Sequence, residues 1–282
     1  MAADAKEIRI EGLRPERLDD FIEAQNEMFA DYIIPIRSSR QFFADFLRSV
    51  GGRFENVLVA IDGPKIVGYV NPVNDASEGW IGGIGVLREY RGTGVGTQLM
   101  HAAESVLASK GVKEVSLEVI EGNDRARRLY ERLGYRGTRK LVTAECMPTR
   151  FQGFGESPKT ANVSDILLMH QRAYSDTCWQ RRKTDALVHS ARGAECFKLN
   201  EGFVLLRIVE TSGFVPFLGV LPERRGNGIG TALAKFALSR LHDLGAYKVV
   251  VYNVNEDAPT IRMLDMFDFK VTMKQLEMKK SL

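Results

Sequence analysis

Two short stretches combine a guanidinium with closely spaced glycines. Arg91-Gly92-Thr93-Gly94-Val95-Gly96-Thr97 sets three glycines at alternate positions ahead of a helical apolar pattern, and Arg225-Gly226-Asn227-Gly228-Ile229-Gly230-Thr231 repeats the arrangement. Glycine lets a backbone turn tightly and approach a ligand closely. The first amides of the following helix have no partner within it, and the helix dipole favours negative charge there. Such a loop cradles phosphate oxygens, and the arginine adds a fork suited to pyrophosphate. No Gly-Lys-Ser/Thr follows, so neither stretch is a P-loop. The GxGxG spacing also departs from the GxGxxG of a dinucleotide-binding turn.

The repetition extends well beyond the loops. Gly85 corresponds to Gly219, an offset of 134 residues, and at the same offset Leu99 matches Leu233, Gly111 matches Gly245 and Arg128 matches Arg262. That period is domain-sized, far above those of solenoids, so it indicates a duplicated domain. The Pro, Gly and Ser residues between Pro148 and Thr160 place the boundary there, giving domains of residues 1–148 and 149–282.

The elements that must position these loops follow from apolar periodicity. Glu7 to Ile10 reads as a short strand, Arg14 to Tyr32 as a helix, and Ser38 or Ser39 as the cap of a second helix through Leu47. Val57–Ile61 and Ile66–Val70 form a hairpin around Asp62-Gly63-Pro64. Ile81–Leu87 is the strand before the glycine loop and Thr93–Lys110 the helix after it. Val115–Ile120, a helix over Asp124–Leu133 and a strand over Leu141–Cys146 complete the first copy. The second copy opens with more helix, over Val163–Tyr174 and Asp185–Ser190, followed by strands at Phe203–Val209, Val215–Leu221 and Lys248–Val254.

Composition excludes several classes. The chain has 282 residues, 44% hydrophobic and 27% charged, with a net charge of +3 that is spread out rather than gathered into the basic face of a nucleic-acid binder. No stretch reaches the ~18 apolar residues of a membrane helix, and the N-terminus lacks a signal-peptide core. Cys146, Cys178 and Cys196 are widely spaced, which suits reduced thiols in a cytoplasmic protein, and the four histidines form no ligand cluster, so no metal site is expected.

With both loops in view, the chain resembles the GNAT superfamily of N-acetyltransferases. The (Arg/Gln)-x-x-Gly-x-Gly motif of that family stands at Arg91–Gly96 and again at Arg225–Gly230. Leu117-Glu118-Val119, Asn123, Ala126, Tyr130-Glu131 and Gly134-Tyr135 are similar to its second motif, in the form found in the branch that acetylates protein N-termini. The resemblance implies an α/β fold of two tandem domains, each a mostly antiparallel mixed sheet flanked by helices, with a V-shaped split between two central parallel strands. It implies acetyl-CoA in that split, with the backbone around Ile84 and Val86 holding the pantetheine and residues 91–97 the pyrophosphate. Asn123 would contact the pantetheine or orient the site. Val220 and the loop Arg225, Gly226, Asn227, Gly228, Ile229, Gly230 and Thr231 are the corresponding cofactor-binding positions of the second copy. By analogy with the family, the segment from Phe29 through Tyr32 to Pro35 forms a wall of the acceptor cleft.

Acetyl transfer from a thioester to an amine requires a neutral amine and a proton for the departing thiolate. Deprotonating a lysine of pKa ~10.4 at pH 7 costs about 4.6 kcal/mol, whereas an α-amine costs about 1–1.4 kcal/mol. By the resemblance, Glu118 stands where the base of the N-terminal acetylating branch stands. Tyr130 is the candidate acid, because a phenol of pKa ~10 lies near a thiol of ~8.5, and it follows Asn123 by about two helical turns. At the 134-residue offset Glu118 becomes Tyr252, Asn123 becomes Asp257 and Tyr130 becomes Leu264, so the second copy is expected to be catalytically silent. Its groove is expected either to keep binding cofactor or to serve as an acceptor wall. The expected partner is an amine, on a protein or a small molecule. Two other readings are weighed: a CoA-binding regulator without catalysis, and a nucleotide-binding oxidoreductase module with Glu118 on a ribose.

Overall fold

The structure is a computed structural model and describes residues 8–34, 36–152, 156–175, 177–183 and 188–282. Its elements are β1 (Arg9–Gly12), α1 (Leu18–Met28), α2 (Arg40–Ser49), β2 (Leu58–Asp62), β3 (Lys65–Asp75), β4 (Glu78–Val86), α3 (Val95–Ser109), β5 (Glu114–Ile120), α4 (Asp124–Arg132) and β6 (Arg136–Cys146). They continue with β7 (Lys159–Thr160), α5 (Val163–Ala173), α6 (Trp179–Arg182), β8 (Glu195–Leu199), β9 (Gly202–Val209), β10 (Ser212–Val220), α7 (Ile229–Asp243), β11 (Lys248–Asn255), α8 (Ala258–Met266) and β12 (Lys270–Ser281).

Two compact units result. One is Met1–Thr138 with Glu277–Leu282, and the other is Arg139–Leu276. The division falls inside β6 and β12 rather than in the Pro148–Thr160 connection. Each copy of the repeat gives the end of its last strand to the other unit. Val249, Val250 and Val251 of β11 pair antiparallel with Cys146, Glu145 and Ala144 of β6 inside the second unit. Within the first unit Lys279 reaches Glu114, Lys280 reaches Glu104, and the Leu282 amide donates to the Lys113 carbonyl at 2.9 Å.

In the first unit β1, β2, β3 and β4 run antiparallel in that order, and β5 lies parallel beside β4. The α3 helix lies on β3 so closely that a Cβ at Gly68 would sit 2.9 Å from Leu99 Cδ1. Leu99, Met100, Ala103 and Leu107 form its buried face. Burying each large side chain contributes about 1.5–3 kcal/mol. The second unit repeats the plan, with β8, β9 and β10 antiparallel and β11 parallel to β10. There α7 packs Leu233, Ala237, Leu238 and Leu241 into the core.

Element boundaries shift from the sequence reading for local reasons. α1 starts at Leu18 after a 3-10 turn at Pro15–Arg17 and ends at Met28, so Phe29 and Tyr32 belong to a turn. α3 starts at Val95 because Gly92 and Gly94 take φ of 88° and 97°. Ser39 is the cap of α2, accepting from the Phe42 amide. β8 and β12 are strands the apolar pattern did not announce. Glu7, Pro35 and Asp185, which the sequence reading placed in a strand, a cleft wall and a helix, lie outside the described residues. No helix among the described residues is long and apolar enough to cross a membrane. The three cysteines are buried, and burial pushes the thiols of Cys146 and Cys196 up to about 12 and about 11.

Candidate active site

The site grows from the parallel pairing of β4 with β5 in the first unit. β4 and β5 are in register from Glu78↔Glu114 to Ile81↔Leu117, and the pairing ends there. The strands separate beyond Ile81 and Leu117, leaving Gly82–Val86 and Glu118–Ile120 to line the two sides of a split. Gly83 and Gly85 leave room for inward packing of Tyr69 and Met28. A Cβ at Gly83 would stand 3.1 Å from the Tyr69 hydroxyl, and one at Gly85 would stand 3.0 Å from Met28 Sδ.

At the end of β4 the chain enters the glycine loop. Gly92 and Gly94 are required for their left-handed backbone, whereas Gly96 is required for packing, its Cβ position lying 3.4 Å from Leu129 Cδ2 of α4. No side chain caps α3, so its first amides keep their donors for an anion. The Thr93 hydroxyl turns back to the Tyr90 carbonyl at 2.8 Å. Val95 is buried in the core, so it positions the loop rather than presenting a side chain to a ligand.

Arg91 is committed elsewhere. Its Nη1 and Nη2 donate to the two Asp31 carboxylate oxygens at 2.7 Å each, Nη2 also donates to the Met28 carbonyl at 2.8 Å, and Nε donates to the Val86 carbonyl at 3.0 Å. The guanidinium holds the Asp31 carboxyl below the usual carboxylate range. The expected pyrophosphate fork is thus a clamp joining the end of α1 to the loop. Another cation stands over the loop: Arg125 Nη2 lies 3.6 Å from where a Cβ of Gly92 would be.

Each candidate position has an aromatic neighbour that no motif announced, Trp80 at Glu118 and Tyr69 near Tyr130. Trp80, 1% exposed, donates from Nε1 to Glu118 Oε2 at 2.7 Å. Tyr130 is buried on α4, with its ring 6.1 Å from that of Tyr135. Burial, then the neighbouring Tyr32 and Tyr69 hydroxyls, push its pKa well above the usual phenol value. A phenol raised in this way stays protonated at neutral pH and lies further from a thiol than the near balance expected from the sequence. Tyr69 is fully surrounded, accepts from Gln25 Nε2 at 3.0 Å, and is pushed up to about 12 by burial. Asn123 caps α4, its Oδ1 accepting from the Ala126 amide at 3.2 Å, and its side chain also bonds the Tyr32 hydroxyl. Phe29 stacks edge-on against Tyr32 with centroids 5.1 Å apart, and Ile33 beyond them is 53% exposed.

The second loop reproduces the clamp. Arg225 Nε donates to the Val220 carbonyl at 3.2 Å and Nη2 to the Ala173 carbonyl at 2.9 Å. Gly226 and Gly228 take φ of 82° and 78°, and Gly230 lies against Met263 as Gly96 lies against Leu129. Asn227 folds back to the Arg224 carbonyl, and Ile229 is buried. Among the described residues no group of three or more His, Cys, Asp or Glu is placed to hold a metal ion.

Comparison with known proteins gives a consistent picture. The profile of the acetyltransferase (GNAT) family matches residues 17–135 and, separately, 166–269. An N-alpha-acetyltransferase of Sulfurisphaera tokodaii is 30% identical over 155 residues, covering 50% of this chain and 87% of that protein. N-alpha-acetyltransferase 30 of Schizosaccharomyces pombe is 34% identical over 82 residues, but those cover 27% of this chain and only 55% of that protein. The uncharacterized N-acetyltransferase YycN of Bacillus subtilis is 34% identical over 70 residues, covering 25% of this chain and 45% of that protein. So the chain spans about half the length of these last two relatives. Among solved structures, a GCN5-related N-acetyltransferase from Sphaerobacter thermophilus superposes with a TM-score of 0.75 at 16% identity, covering 97% of this chain and 95% of that one. A tandem GNAT protein from the clavulanic acid biosynthesis pathway gives 0.68 at 14% identity, with 98% of each chain covered.

Proposed function

Because the chain belongs to the acetyltransferase (GNAT) family, a family of N-acetyltransferases, we propose that its first unit binds acetyl-CoA in the β4–β5 split and passes the acetyl group directly to a primary amine. The observation that carries this reading is the end of the parallel β4–β5 pairing at Ile81 and Leu117, which opens a split between the strands next to a glycine loop whose helix α3 no side chain caps. Tyr130, on the α4 helix and held protonated by burial, is the donor assigned to the thioester sulfur.

The residues present fit the group. The α3 amides after Gly94 hold the pyrophosphate, and Arg125 supplies the charge that Arg91 does not. The Ile84 amide and carbonyl would hold the pantetheine, since Ile84 lies beyond the last paired residue of β4 on the β5 side, Ile81. Bound acetyl-CoA supplies an activated acyl carbon. Glu118, fixed by Trp80, takes the proton that the amine loses as the C–N bond forms. Tyr130 donates to the sulfur as the C–S bond breaks. Both mixed-sheet units, with hairpins before the loop, remove the support for an oxidoreductase module.

For the acceptor we favour the α-amine of a protein N-terminus. Two relatives carry the name N-alpha-acetyltransferase, and a carboxylate base suits an amine whose deprotonation at pH 7 costs only about 1–1.4 kcal/mol. Release of CoA in the presence of a peptide with a free N-terminus, compared with the same peptide blocked and bearing a free lysine, tests the assignment. Turnover only on the free N-terminus supports it. Turnover only on lysine or on a small amine overturns the acceptor, and no turnover with measurable binding points to a CoA-binding regulator.

A further inference from the structure

The second unit has the same split and has filled it. β10 and β11 are parallel and in register from Ser212↔Lys248 to Phe214↔Val250, then part. Tyr174 stands at the C-cap of α5, as Phe29 stands at the C-cap of α1. The Arg225 and Arg91 clamps bond the carbonyls just before them, Ala173 and Met28. The Tyr174 hydroxyl reaches into the split, accepting from the Leu218 amide at 3.1 Å and donating to the Leu218 carbonyl at 2.8 Å. Leu218 is the counterpart of Ile84 at the 134-residue offset.

Arg181 completes the span. Its Nη2 donates to the Tyr174 hydroxyl at 3.1 Å and its Nη1 to the Tyr252 carbonyl at 2.8 Å, so the two side chains link β10 to β11. Arg181 is 4% exposed, and its guanidinium lies 5.2 Å and 5.4 Å from the ring centres of Tyr174 and Phe217. The backbone of β11 is shaped to receive it. The register slips between Val251 and Val254, and Asn253 takes a left-handed φ of 51°, a conformation uncommon outside glycine and asparagine. This bulge presents the Tyr252 carbonyl to Arg181 and the Asn253 carbonyl to Cys178 Sγ at 3.6 Å, while Asn253 Nδ2 donates to Gln180 Oε1 at 3.0 Å. His170 stacks on Tyr174 and donates from Nε2 to the Arg181 carbonyl at 2.9 Å, locking both ends.

We propose that Tyr174 and Arg181 are a built-in plug, making in the second split the backbone hydrogen bonds that pantetheine makes in the first, so that each chain binds one acetyl-CoA. The inference rests on the cofactor assignment of the first unit. It gives the repeated glycine loop a different role: the Arg225 clamp and the left-handed Gly226 and Gly228 hold the start of α7 and the end of α5, with no phosphate involved. On this reading the second groove, expected from the sequence either to keep binding cofactor or to serve as an acceptor wall, binds no cofactor.

Calorimetric titration of the full chain with CoA tests it. The expected result is one site per chain, weakened by roughly 100-fold or more in Gly94→Val, since two charge-assisted contacts are lost at ~1.4 kcal/mol per tenfold. Two sites, or one site that survives Gly94→Val, overturn the plug while leaving a cofactor-binding protein. No site at all overturns the assignment of the first unit, and the plug falls with it. Hydrogen exchange supplies a readout that needs no ligand. Tyr174→Phe keeps the ring and removes the bridging hydroxyl, and the Leu218 amide is expected to exchange about tenfold faster, the ~1.4 kcal/mol of one hydrogen bond. CoA is expected to leave the wild-type Leu218 amide unchanged. Unchanged exchange in Tyr174→Phe, or protection of Leu218 by CoA, overturns the proposal.

Discussion

At the scale of single residues, the proposed roles of Tyr130 and Arg125 separate catalysis from binding. Tyr130→Phe removes one proton from a buried ring, and turnover is expected to fall about 100-fold, the lower end of what a positioned acid contributes, with CoA affinity unchanged. Single-turnover kinetics beside calorimetry checks this; an unchanged chemical step removes Tyr130 from the mechanism. Arg125→Ala is expected to weaken CoA about tenfold with the rate at saturation intact, as one charge-assisted hydrogen bond is worth ~1.5–3 kcal/mol. Glu118 and Tyr130 stood out in the sequence because they sit in a motif. Trp80 and Tyr69 did not, because their role comes from packing across strands: Trp80 reaches Glu118 over 38 positions of sequence and Gln25 reaches Tyr69 over 44. Arg91 was misread because spacing shows that an arginine adjoins the loop but not that Asp31 occupies it.

At the scale of elements, the second unit carries an acid-sensitive joint. Burial lowers the pKa of His170 from 6.5 to about 4. The native ring stays neutral where the unfolded one takes a proton, so its contribution is complete above pH 6.5 and is lost as pH falls from 6.5 towards 4. The loss reaches about 3 kcal/mol at ~1.36 kcal/mol per unit. In a Trp80→Phe background Trp179 is the sole tryptophan and reports this unit. Its urea midpoint is expected to drop between pH 7.5 and 5, and His170→Gln to flatten that drop; an equal slope in both removes His170 as the cause. Strong apolar periodicity made the helices and the central strands legible. β6 was read from Leu141 because Arg136 to Lys140 are polar and mostly exposed. β12 was missed because Lys, Gln and Glu interrupt its apolar alternation.

At the scale of the whole molecule, duplication was legible from a constant offset, whereas the exchange of strand ends was not. Strand pairing is non-local, and no local pattern records which sheet a strand joins. The exchange makes the last six residues of the chain part of the first unit. Lys280 there meets Glu104, with 22% and 10% of their side chains exposed, and lies 5.7 Å from the Tyr135 ring centre. Deleting 277–282 is therefore expected to destabilise the unit that carries Tyr130 by about 1–3 kcal/mol or more, since it leaves the buried Glu104 carboxylate without its cation. A melting profile in which only the second unit weakens would contradict this.

The central claim is that one unit performs the transfer. Its most direct test is the rate of CoA release from acetyl-CoA with a peptide bearing a free N-terminus, measured for the wild type, Gly94→Val and Gly228→Val under subsaturating acetyl-CoA. The account predicts a loss of roughly 100-fold in Gly94→Val, from two charge-assisted contacts at ~1.4 kcal/mol per tenfold, and a rate within about threefold of wild type in a folded Gly228→Val, as expected where no contact to the ligand changes. Loss in Gly228→Val with activity kept in Gly94→Val would contradict it and move the chemistry to the second unit.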